Sequence, residues 1–343
     1  MQNLKQVHEN AKPKLKNVCL VCKNCDGKSC ISGVPGMGGC GGRAGFRRNI
    51  EALSRIMLSL RTIHGVSTPD SSYELFGVRL TMPIMGAPMC ETTYNFLGQV
   101  DDYEFIYSQV AGAEAAGTIA FTGDSPDPAL YAMGLKAISE KAFGKGIPII
   151  KPRESGEIIR RIKLAEESGV IAVGVDIDAA AFDNLNRSGQ PVGPLTTSQL
   201  KKITGSTNLP VILKGIMTAD QAVLAAECNA AGIVVSNHGG RALEHTPGTA
   251  EVLPEIVSAV KGKLEIFIDG GFRSGEDVLK ALALGAEAVL IGRPIAIAAI
   301  GGETEGVCLL YHKLKDELVK AMLLTGCSNV ALIESGVIRE STW

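Results

Sequence analysis

The chain has 343 residues and a mass of 36.0 kDa, which suits one large α/β domain with an appendage or two ordinary domains. Its 34 Lys and Arg residues nearly balance its 36 Asp and Glu residues, so the formal net charge is −2 and we expect no nucleic-acid partner. No apolar run reaches the ~18 residues of a membrane helix, and the polar N-terminus is unlike a secretory signal. We therefore expect a cytoplasmic protein without a membrane partner.

The first part of the chain differs in composition from the rest. Residues 1–46 are polar at first and then rich in Cys and Gly, and the stretch Gly33–Arg43 holds too much Gly for a helix or strand. A short helix is predicted over Asn49–Leu60. We divide the chain into a Cys/Gly-rich N-terminal segment, residues 1–46, and a single domain, residues 47–343.

A regular alternation of strand and helix begins near Leu80. Hydrophobic residues make up 45% of the chain and aromatic residues only 5%, so the core is built from Val, Ile, Leu and Ala, as in buried parallel sheets. Segments in which apolar residues recur with helical spacing lie between short apolar runs. They are Glu157–Ser168, Ala219–Ala230, Ala250–Val260 and Gly275–Leu284. The predicted strands are Pro83–Ala87, Thr118–Thr122, Ile147–Ile150, Ile171–Asp178, Pro210–Lys214, Ile233–Ser236, Glu265–Asp269 and Ala288–Ile291.

Eight strands, each followed by helix-compatible sequence, predict an α/β fold of the (β/α)₈ TIM-barrel type with a short Cys/Gly-rich N-terminal extension. A doubly wound open sheet is the alternative, but no Gly-x-Gly-x-x-Gly follows the first strand. Active sites of such barrels lie at the carboxyl ends of the strands. Polar residues at those ends are therefore candidates, and the first four are Lys151, Asp176, Asp178 and Lys214.

The ends of strands seven and eight suit a phosphate group. Strand seven ends in Asp269–Arg273 and strand eight in Gly292-Arg293, which combine bare backbone N–H groups with guanidinium cations. Ser274 then opens a helix whose N-terminus also favours an anion. The alternative is that the glycines only make turns and the arginines are solvated.

Strand six ends in Ser236–Arg241, which carries His238 and Arg241 on a Gly-Gly turn. A neutral imidazole can accept a proton near pH 7, and a guanidinium can hold a carboxylate through two hydrogen bonds. Together they suit chemistry at a carbon next to a carboxylate. The alternative is a capping role for Asn237 beside an incidental histidine.

These segments together resemble the FMN-dependent 2-hydroxy-acid oxidases and dehydrogenases, the family of glycolate oxidase and lactate oxidase. The resemblance covers most of the chain from about residue 46. Weaker likeness is found at Met82–Pro88 and Ala116–Thr118. The segments that carry it most strongly are Leu209–Ile216, Ser236–Arg241, Asp269–Arg273, Lys280–Ala286 and Ile291–Pro294.

The resemblance implies a barrel that holds FMN and oxidises a 2-hydroxy acid to a 2-oxo acid, with a hydride equivalent delivered to flavin N5. It implies that His238 is the catalytic base, that Arg241 binds the substrate carboxylate, and that Lys214 lies beside flavin N1 and O2. It also implies a homo-oligomer, a tetramer in most of the family, and leaves the electron acceptor unknown. The expected cofactor-binding residues are Pro88, Met89, Lys151, Asp176, Lys214, Ser236, His238, Asp269, Gly270, Gly271, Arg273, Gly292 and Arg293.

The sequence departs from this family in the substrate pocket. A family Tyr-Tyr-x-Ser-Gly motif is replaced by Ser29–Gly33, and the family's Gln and Tyr at the end of strand three are replaced within Ile147–Pro152. The Thr usual after strand four is Asp176, and a second substrate-binding Arg has only Arg187 as a weak candidate. The resemblance therefore supports FMN binding but does not imply a simple lactate or glycolate substrate.

The cysteines cluster near the N-terminus. Cys19, Cys22, Cys25 and Cys30 follow a Cys-x₂-Cys-x₂-Cys-x₄-Cys pattern, which has metal-ligand spacing. A [4Fe–4S] cluster and a zinc ion are both possible, and so are free or redox-active thiols. Cys30 or its neighbours could instead line the substrate pocket, because the segment stands where the family's Tyr motif stands.

Two other functions remain open from the sequence. Type 2 isopentenyl-diphosphate isomerase is a similar FMN barrel without net redox chemistry, but it lacks the Ser236–Arg241 signature. A flavin redox sensor or electron carrier is the second alternative, which the missing tyrosines favour.

Overall fold

The computed structural model describes residues 3–28, 30 and 41–340, apart from the side chain of Glu340. Eight parallel strands close into a barrel, in which each strand pairs with its neighbours in sequence and the last pairs with the first. This confirms the predicted (β/α)₈ barrel. The barrel strands are β4 (Ile84–Met89), β5 (Ala120–Thr122), β6 (Ile147–Ile150), β7 (Val173–Asp176), β8 (Val211–Ile216), β9 (Gly232–Val235), β10 (Glu265–Ile268) and β11 (Ala288–Ile291).

The helices surround the barrel. The longest, α12, bends at Glu303, whose φ of 49° and ψ of −143° are not helical. The helices are α1 (Leu4–Lys14), α2 (Ala44–Arg55), α3 (Thr92–Phe96), α4 (Asp102–Ala115), α5 (Pro128–Ala142), α6 (Ser155–Glu167), α7 (Asp183–Arg187), α8 (Thr197–Thr204), α9 (Ala219–Glu227), α10 (Thr249–Val260), α11 (Gly275–Ala283) and α12 (Arg293–Thr325).

Side chains alternate between the inside and the outside of the barrel. On β8, Ile212 packs in the interior cluster, whereas Val211 and Leu213 pack against the surrounding helices. The same alternation points Lys214, two positions after Ile212, toward the barrel axis at the carboxyl end. At the opposite end, the hairpin of β2 (Tyr73–Leu75) and β3 (Val78–Leu80) contributes to the interior cluster and covers the barrel. The carboxyl end is thus the open end of the barrel, where polar side chains on the axis can reach a ligand.

The helix predicted over Asn49–Leu60 is wrong in its second half. The helix, α2, ends at Arg55, and β1 (Ile56–Leu58) follows it directly. β1 pairs antiparallel with β12 (Ile338–Glu340), close to the other end of the chain. Ile56, Met57 and Leu58 suit a helix or a strand equally well in a local pattern, and only the distant partner decides between them.

The N-terminal helix α1 was not predicted. Its Val7 and Ala11 are fully buried, and they pack against the first half of α12. A stripe of two apolar residues on a polar segment gives little signal in the sequence, so this helix depends on tertiary packing. The predicted boundary at residue 46 falls inside α2 and stays a prediction, and the Gly-rich stretch from residue 33 to residue 40 lies outside the described residues.

Among the described residues, no helix combines the length and the apolar character that crossing a bilayer requires.

The contact between α1 and α12 depends on a glycine. A Cβ added at Gly301 would lie 2.0 Å from the carbonyl oxygen of Val7, whereas Gly65 has open space around it. We expect Gly301→Ala to lower the free energy of unfolding by about 1–3 kcal/mol, because the two helices must separate to admit the methyl group. Urea unfolding followed by circular dichroism measures this change. Gly65→Ala is the matched control, and equal stability of the two variants would contradict the packing described.

Candidate active site

A cavity opens at the carboxyl ends of the barrel strands. Its wall includes almost all of the residues that the sequence predicted for the cofactor and the chemistry. Ser236 is the exception, since it is fully buried beneath the cavity and donates a hydrogen bond to Asp269 at 2.8 Å. The predicted residues in the wall are Pro88, Met89, Lys151, Asp176, Lys214, His238, Arg241, Asp269, Gly270, Gly271, Arg273, Gly292 and Arg293.

A buried ammonium group forms the floor of the cavity. Nζ of Lys214 lies 2.9 Å from Asp176 Oδ1, 3.2 Å from Asp178 Oδ2 and 4.0 Å from Asp269 Oδ2. Burial works to lower the pKa of Lys214, but these three carboxylates outweigh it and hold the pKa above its ordinary value. Lys214 is therefore a fixed positive charge throughout the physiological pH range.

Asp176 joins this floor to the wall of the cavity. Its two oxygens contact different cations, Lys214 at 2.9 Å and Lys151 at 2.5 Å. Burial alone would raise the pKa of Asp176, but the two ammonium groups and His238 hold it well below its usual range. The residue that stands in place of the family's Thr is thus an ionised carboxylate between two lysines.

The loop after β9 presents His238 to the cavity. Its backbone has a φ of 57°, which is left-handed, and its N–H donates to Ser236 Oγ at 3.0 Å. Nδ1 lies 2.7 Å from Asp178 Oδ1, while the Phe182 ring lies edge-on to the imidazole with 4.8 Å between centroids. When Nδ1–H donates to Asp178, Nε2 is the ring nitrogen that can accept a proton.

Arg241 stands on the same loop, half-buried in the cavity wall. Its Nη2 donates to Asn95 Oδ1 at 3.0 Å, and its guanidinium carbon lies 6.0 Å from the centroid of the Phe182 ring. By contrast Arg187, the weak candidate for a second substrate Arg, is exposed on α7, pairs with Asp183 at 3.6 Å and does not line this cavity.

The opposite end of the cavity fits a phosphate group. Gly270 and Gly271 have φ values of 96° and 95°, and a Cβ on either would press on Asn49, so the chain exposes bare backbone there. Arg293 lies half-buried beside them, and loss of contact with water together with Arg273 and Arg241 lowers the pKa of Arg293 to about 10. A site that crowds guanidinium groups around bare backbone suits the dianionic phosphate of FMN.

Asn49 on α2 is a residue that sequence reasoning missed. Its amide is fully buried and exchanges two hydrogen bonds with the amide of Asn237, at 2.8 and 3.0 Å. It also accepts from Thr249 N at 3.1 Å. Asn49 therefore fastens α2 to the loop that carries His238. Asn49 is the first residue of the predicted helix, and the sequence around it gives no sign of this partner, which lies 188 positions away.

Three further wall residues were also missed. Phe182 contacts His238, and Glu91 accepts a hydrogen bond from Asn184 at 3.1 Å. Burial raises the pKa of Glu91, with the Asn184 hydrogen bond acting in the opposite direction. Phe182 and Glu91 belong to loops and Asn184 to the short helix α7, where single-sequence patterns carry little information about contacts.

The predicted metal ligands lie outside this cavity wall. Cys19, Cys22 and Cys25 are partly buried and Cys30 is buried. Cys25 contacts the cavity wall from the side away from the cavity. Its Sγ lies 3.5 Å from Nη2 of Arg273, which belongs to that wall. Cys30 itself is not among the cavity residues, and its neighbours, residue 29 and residues 31–40, lie outside the described residues, so their expected place in the pocket stays a prediction.

Comparisons with known proteins agree with this site. The family model described as FMN-dependent dehydrogenase matches residues 36–190 and 186–340. The chain is 32% identical over 327 residues to glycolate oxidase 1 of Oryza sativa subsp. indica, covering 83% of this chain and 85% of the relative. It is 33% identical over 335 residues to 2-hydroxyacid oxidase 1 of Mus musculus, covering 85% and 88%.

Solved structures of mandelate oxidase are similar over the whole chain. One, with 3,3-difluoro-2-hydroxy-3-phenylpropionic acid, has a TM-score of 0.78 and 28% identity, and covers 99% of both chains. A variant with a C4a-OH-FMN adduct has a TM-score of 0.74 and 30% identity, and covers 87% of this chain and 92% of that one.

The chain therefore belongs to the FMN-dependent dehydrogenase family. The predictions of an FMN cofactor and of an enzyme that oxidises 2-hydroxy acids to 2-oxo acids are confirmed at the level of this family. The isomerase and electron-carrier alternatives are not supported.

Asn49 generates a prediction for this site. We expect Asn49→Ala to lower the free energy of unfolding by about 2–4 kcal/mol, because it removes both hydrogen bonds to the buried Asn237 amide and the hydrogen bond from the buried Thr249 N–H. The loop of His238 would also loosen, so FMN should be released more readily. Thermal unfolding and flavin fluorescence on dilution measure the two effects. Asn208→Ala, at an exposed position, is the control, and an Asn49 variant that behaves like it would refute this role.

Proposed function

We propose that this chain oxidises a 2-hydroxy acid at the cavity described, with His238 as the base. The observation that carries the proposal is the Asp178–His238 contact of 2.7 Å, placed in one cavity with Arg241 and Lys214. Asp178 orients the imidazole and stabilises its protonated form, so Nε2 can take the proton of the substrate hydroxyl group. The bound FMN supplies the chemistry of accepting a hydride equivalent from the substrate carbon.

Arg241 binds the substrate carboxylate in this proposal. A guanidinium group offers two parallel N–H donors to a carboxylate, which fixes the orientation of the neighbouring carbon. The hydrogen bond to Asn95 and the Phe182 ring limit where the guanidinium can swing. The substrate hydroxyl carbon is thereby held near the imidazole, because both side chains belong to the loop after β9.

Lys214 acts on the cofactor rather than on the substrate. A buried cation stabilises negative charge that develops beside it, and it needs no reorganisation to do so. By resemblance, Lys214 would lie beside N1 and O2 of a bound flavin and would stabilise negative charge there. Asp269 and Asp178 hold the ammonium group in place, while Gly270, Gly271, Arg273, Gly292 and Arg293 bind the ribityl and phosphate groups.

The substrate side chain meets a polar wall. Lys151 and Asp176 form a 2.5 Å ion pair where the family has uncharged residues, and Glu91 and Asn184 stand nearby in the same cavity. Burying an apolar ring against charged groups costs free energy, whereas a polar group can hydrogen-bond to them. We therefore propose a 2-hydroxy acid with a small polar side chain, unlike the aromatic acid after which mandelate oxidase is named.

Assembly, electron acceptor and location remain proposals carried over from the sequence. We propose a homo-oligomer, a tetramer by resemblance, that works in the cytoplasm with an unidentified electron acceptor. Light scattering of the purified protein measures the oligomeric state. Oxygen consumption during turnover shows whether O₂ is the electron acceptor.

The base assignment has a direct kinetic test. We expect His238→Asn to keep FMN but to lose turnover by about 10²–10⁴-fold, the usual contribution of a positioned acid or base. Asn tolerates the left-handed backbone at this position, so the fold should be retained. Anaerobic bleaching of the flavin on addition of substrate is the measurement. His312→Asn, on α12 away from the cavity, is the control. Bleaching of the His238 variant at the wild-type rate would overturn the assignment.

The polar wall predicts a substrate preference. In an anaerobic panel of malate, lactate and mandelate, we expect malate to bleach the flavin faster than lactate or mandelate, because an apolar methyl group or an aromatic ring must displace hydrogen-bonded water from charged groups. The double variant Lys151→Tyr/Asp176→Thr, which restores uncharged residues, should reduce that preference by about tenfold. If wild-type enzyme prefers mandelate, the proposed selectivity is wrong whatever the variant does.

A further inference from the structure

Four cysteines with ligand spacing remain unused by the chemistry above. Cys19, Cys22, Cys25 and Cys30 all carry free thiols, and the segment that holds them lies against the barrel with Val18 and Val21 buried beneath it. Within residues 15–28 the chain contains neither helix nor strand. A segment without regular secondary structure that is nevertheless packed and partly buried is typical of small metal sites, where the metal organises the chain.

The chain turns tightly at Val21, between Cys19 and Cys22. The N–H of Val21 donates to Cys19 Sγ at 3.3 Å, and Val21 has a left-handed φ of 47°, which is rare for a β-branched residue. This contact fixes the Cys19 sulfur at the turn that precedes Cys22 and Cys25.

Positive side chains surround this group of cysteines. Arg273 donates to the Cys25 carbonyl at 3.3 Å and lies 3.5 Å from its Sγ, and Arg43 donates to the Cys30 carbonyl. Nε of Arg47 is buried without a hydrogen-bond partner. The Arg47 side chain packs close to Gly27, because a Cβ added at Gly27 would lie 3.1 Å from Arg47 Cγ. The surroundings suit a group with net negative charge, which thiolates around a metal provide.

The arrangement distinguishes a cluster from a single ion. Zinc bonds sulfur at about 2.3 Å, so a tetrahedral zinc site needs sulfurs about 3.8 Å apart. Among the described residues, no three of these sulfur atoms lie within 4.8 Å of one another. The possible ligand atoms of Asp176, Asp178 and His238, by comparison, do lie within that distance. A cubane of four irons binds each sulfur to a different iron and accepts wider spacing, and Cys-x₂-Cys-x₂-Cys is the spacing that holds three of its irons.

We propose that Cys19, Cys22 and Cys25, with Cys30 as the fourth ligand, bind a [4Fe–4S] cluster. The site adjoins the cofactor site through one side chain, because Arg273 lines both the active-site cavity and the cleft beside Cys22 and Cys25. The guanidinium therefore stands between the cluster and the end of the cavity that fits the flavin phosphate. This second prosthetic group is independent of which 2-hydroxy acid the enzyme oxidises.

The full chain, purified without oxygen, tests the proposal directly. We expect roughly four irons and four acid-labile sulfides per chain, with a broad absorption near the flavin bands and an electron paramagnetic resonance signal after dithionite reduction. If the protein carries FMN but neither iron nor sulfide, even after incubation with ferrous iron, sulfide and a thiol reductant, the proposal is wrong. Stoichiometric zinc in place of iron would equally overturn it.

Variants locate the cluster. Cys22→Ser and Cys25→Ser should each lose most of the iron and sulfide, whereas Cys308→Ser, on α12, should keep both. FMN content of each variant, measured in the same samples, reports whether the barrel is intact. Iron content that is unchanged in both ligand variants would assign the metal to other residues and refute this site. Should both variants fail to fold, the metal content of the wild-type protein still decides.

Discussion

The buried ammonium group of Lys214 is the constraint on which the active end of the barrel depends. A buried cation is tolerated only when carboxylates compensate it with good geometry. Its partners belong to two strands: Asp176 ends β7 and Asp178 follows it, whereas Asp269 follows β10. Asp176 and Lys214 are also directly paired in the parallel register. The charge of Lys214 is thus neutralised only when the closed barrel brings these strands together. His238 contacts the same group of carboxylates through Asp178.

Charge balance also explains how the pocket departs from its family. An additional carboxylate at position 176 would leave excess negative charge if it stood alone beside Asp178. Lys151 supplies the compensating cation, and Asp124 accepts a hydrogen bond from the backbone N–H of Lys151 at 2.9 Å, which fixes the start of that loop. The ion pair spans two strands, because Lys151 follows β6 and Asp176 ends β7, so each buried charge has a partner of opposite sign.

The cofactor end is organised from outside the barrel. Helix α2 lies so close to Gly240, Gly270 and Gly271 that a side chain on any of them would collide with it. Asn49 converts this close approach into hydrogen bonds to the loop of His238. The cysteine segment that precedes α2 reaches the same end through Arg273. The N-terminal part of the chain is in this way part of the cofactor site rather than a separate appendage.

The sequence by itself determined the barrel and the strand ends that carry its chemistry. Buried parallel strands appear in the sequence as short apolar runs, and polar residues directly after them must lie at the carboxyl end of the barrel. His238, Arg241 and the Gly-Arg pairs were recognisable since each is contained within a few consecutive residues. Tertiary structure alone decided the pairing of β1 with β12, the burial of α1, the Asn49–Asn237 contact across 188 positions and the Asp178–His238 contact across 60. The physical reason is that these contacts join segments whose local patterns are ambiguous or polar, so their free energy is gained only once the barrel has brought both partners together.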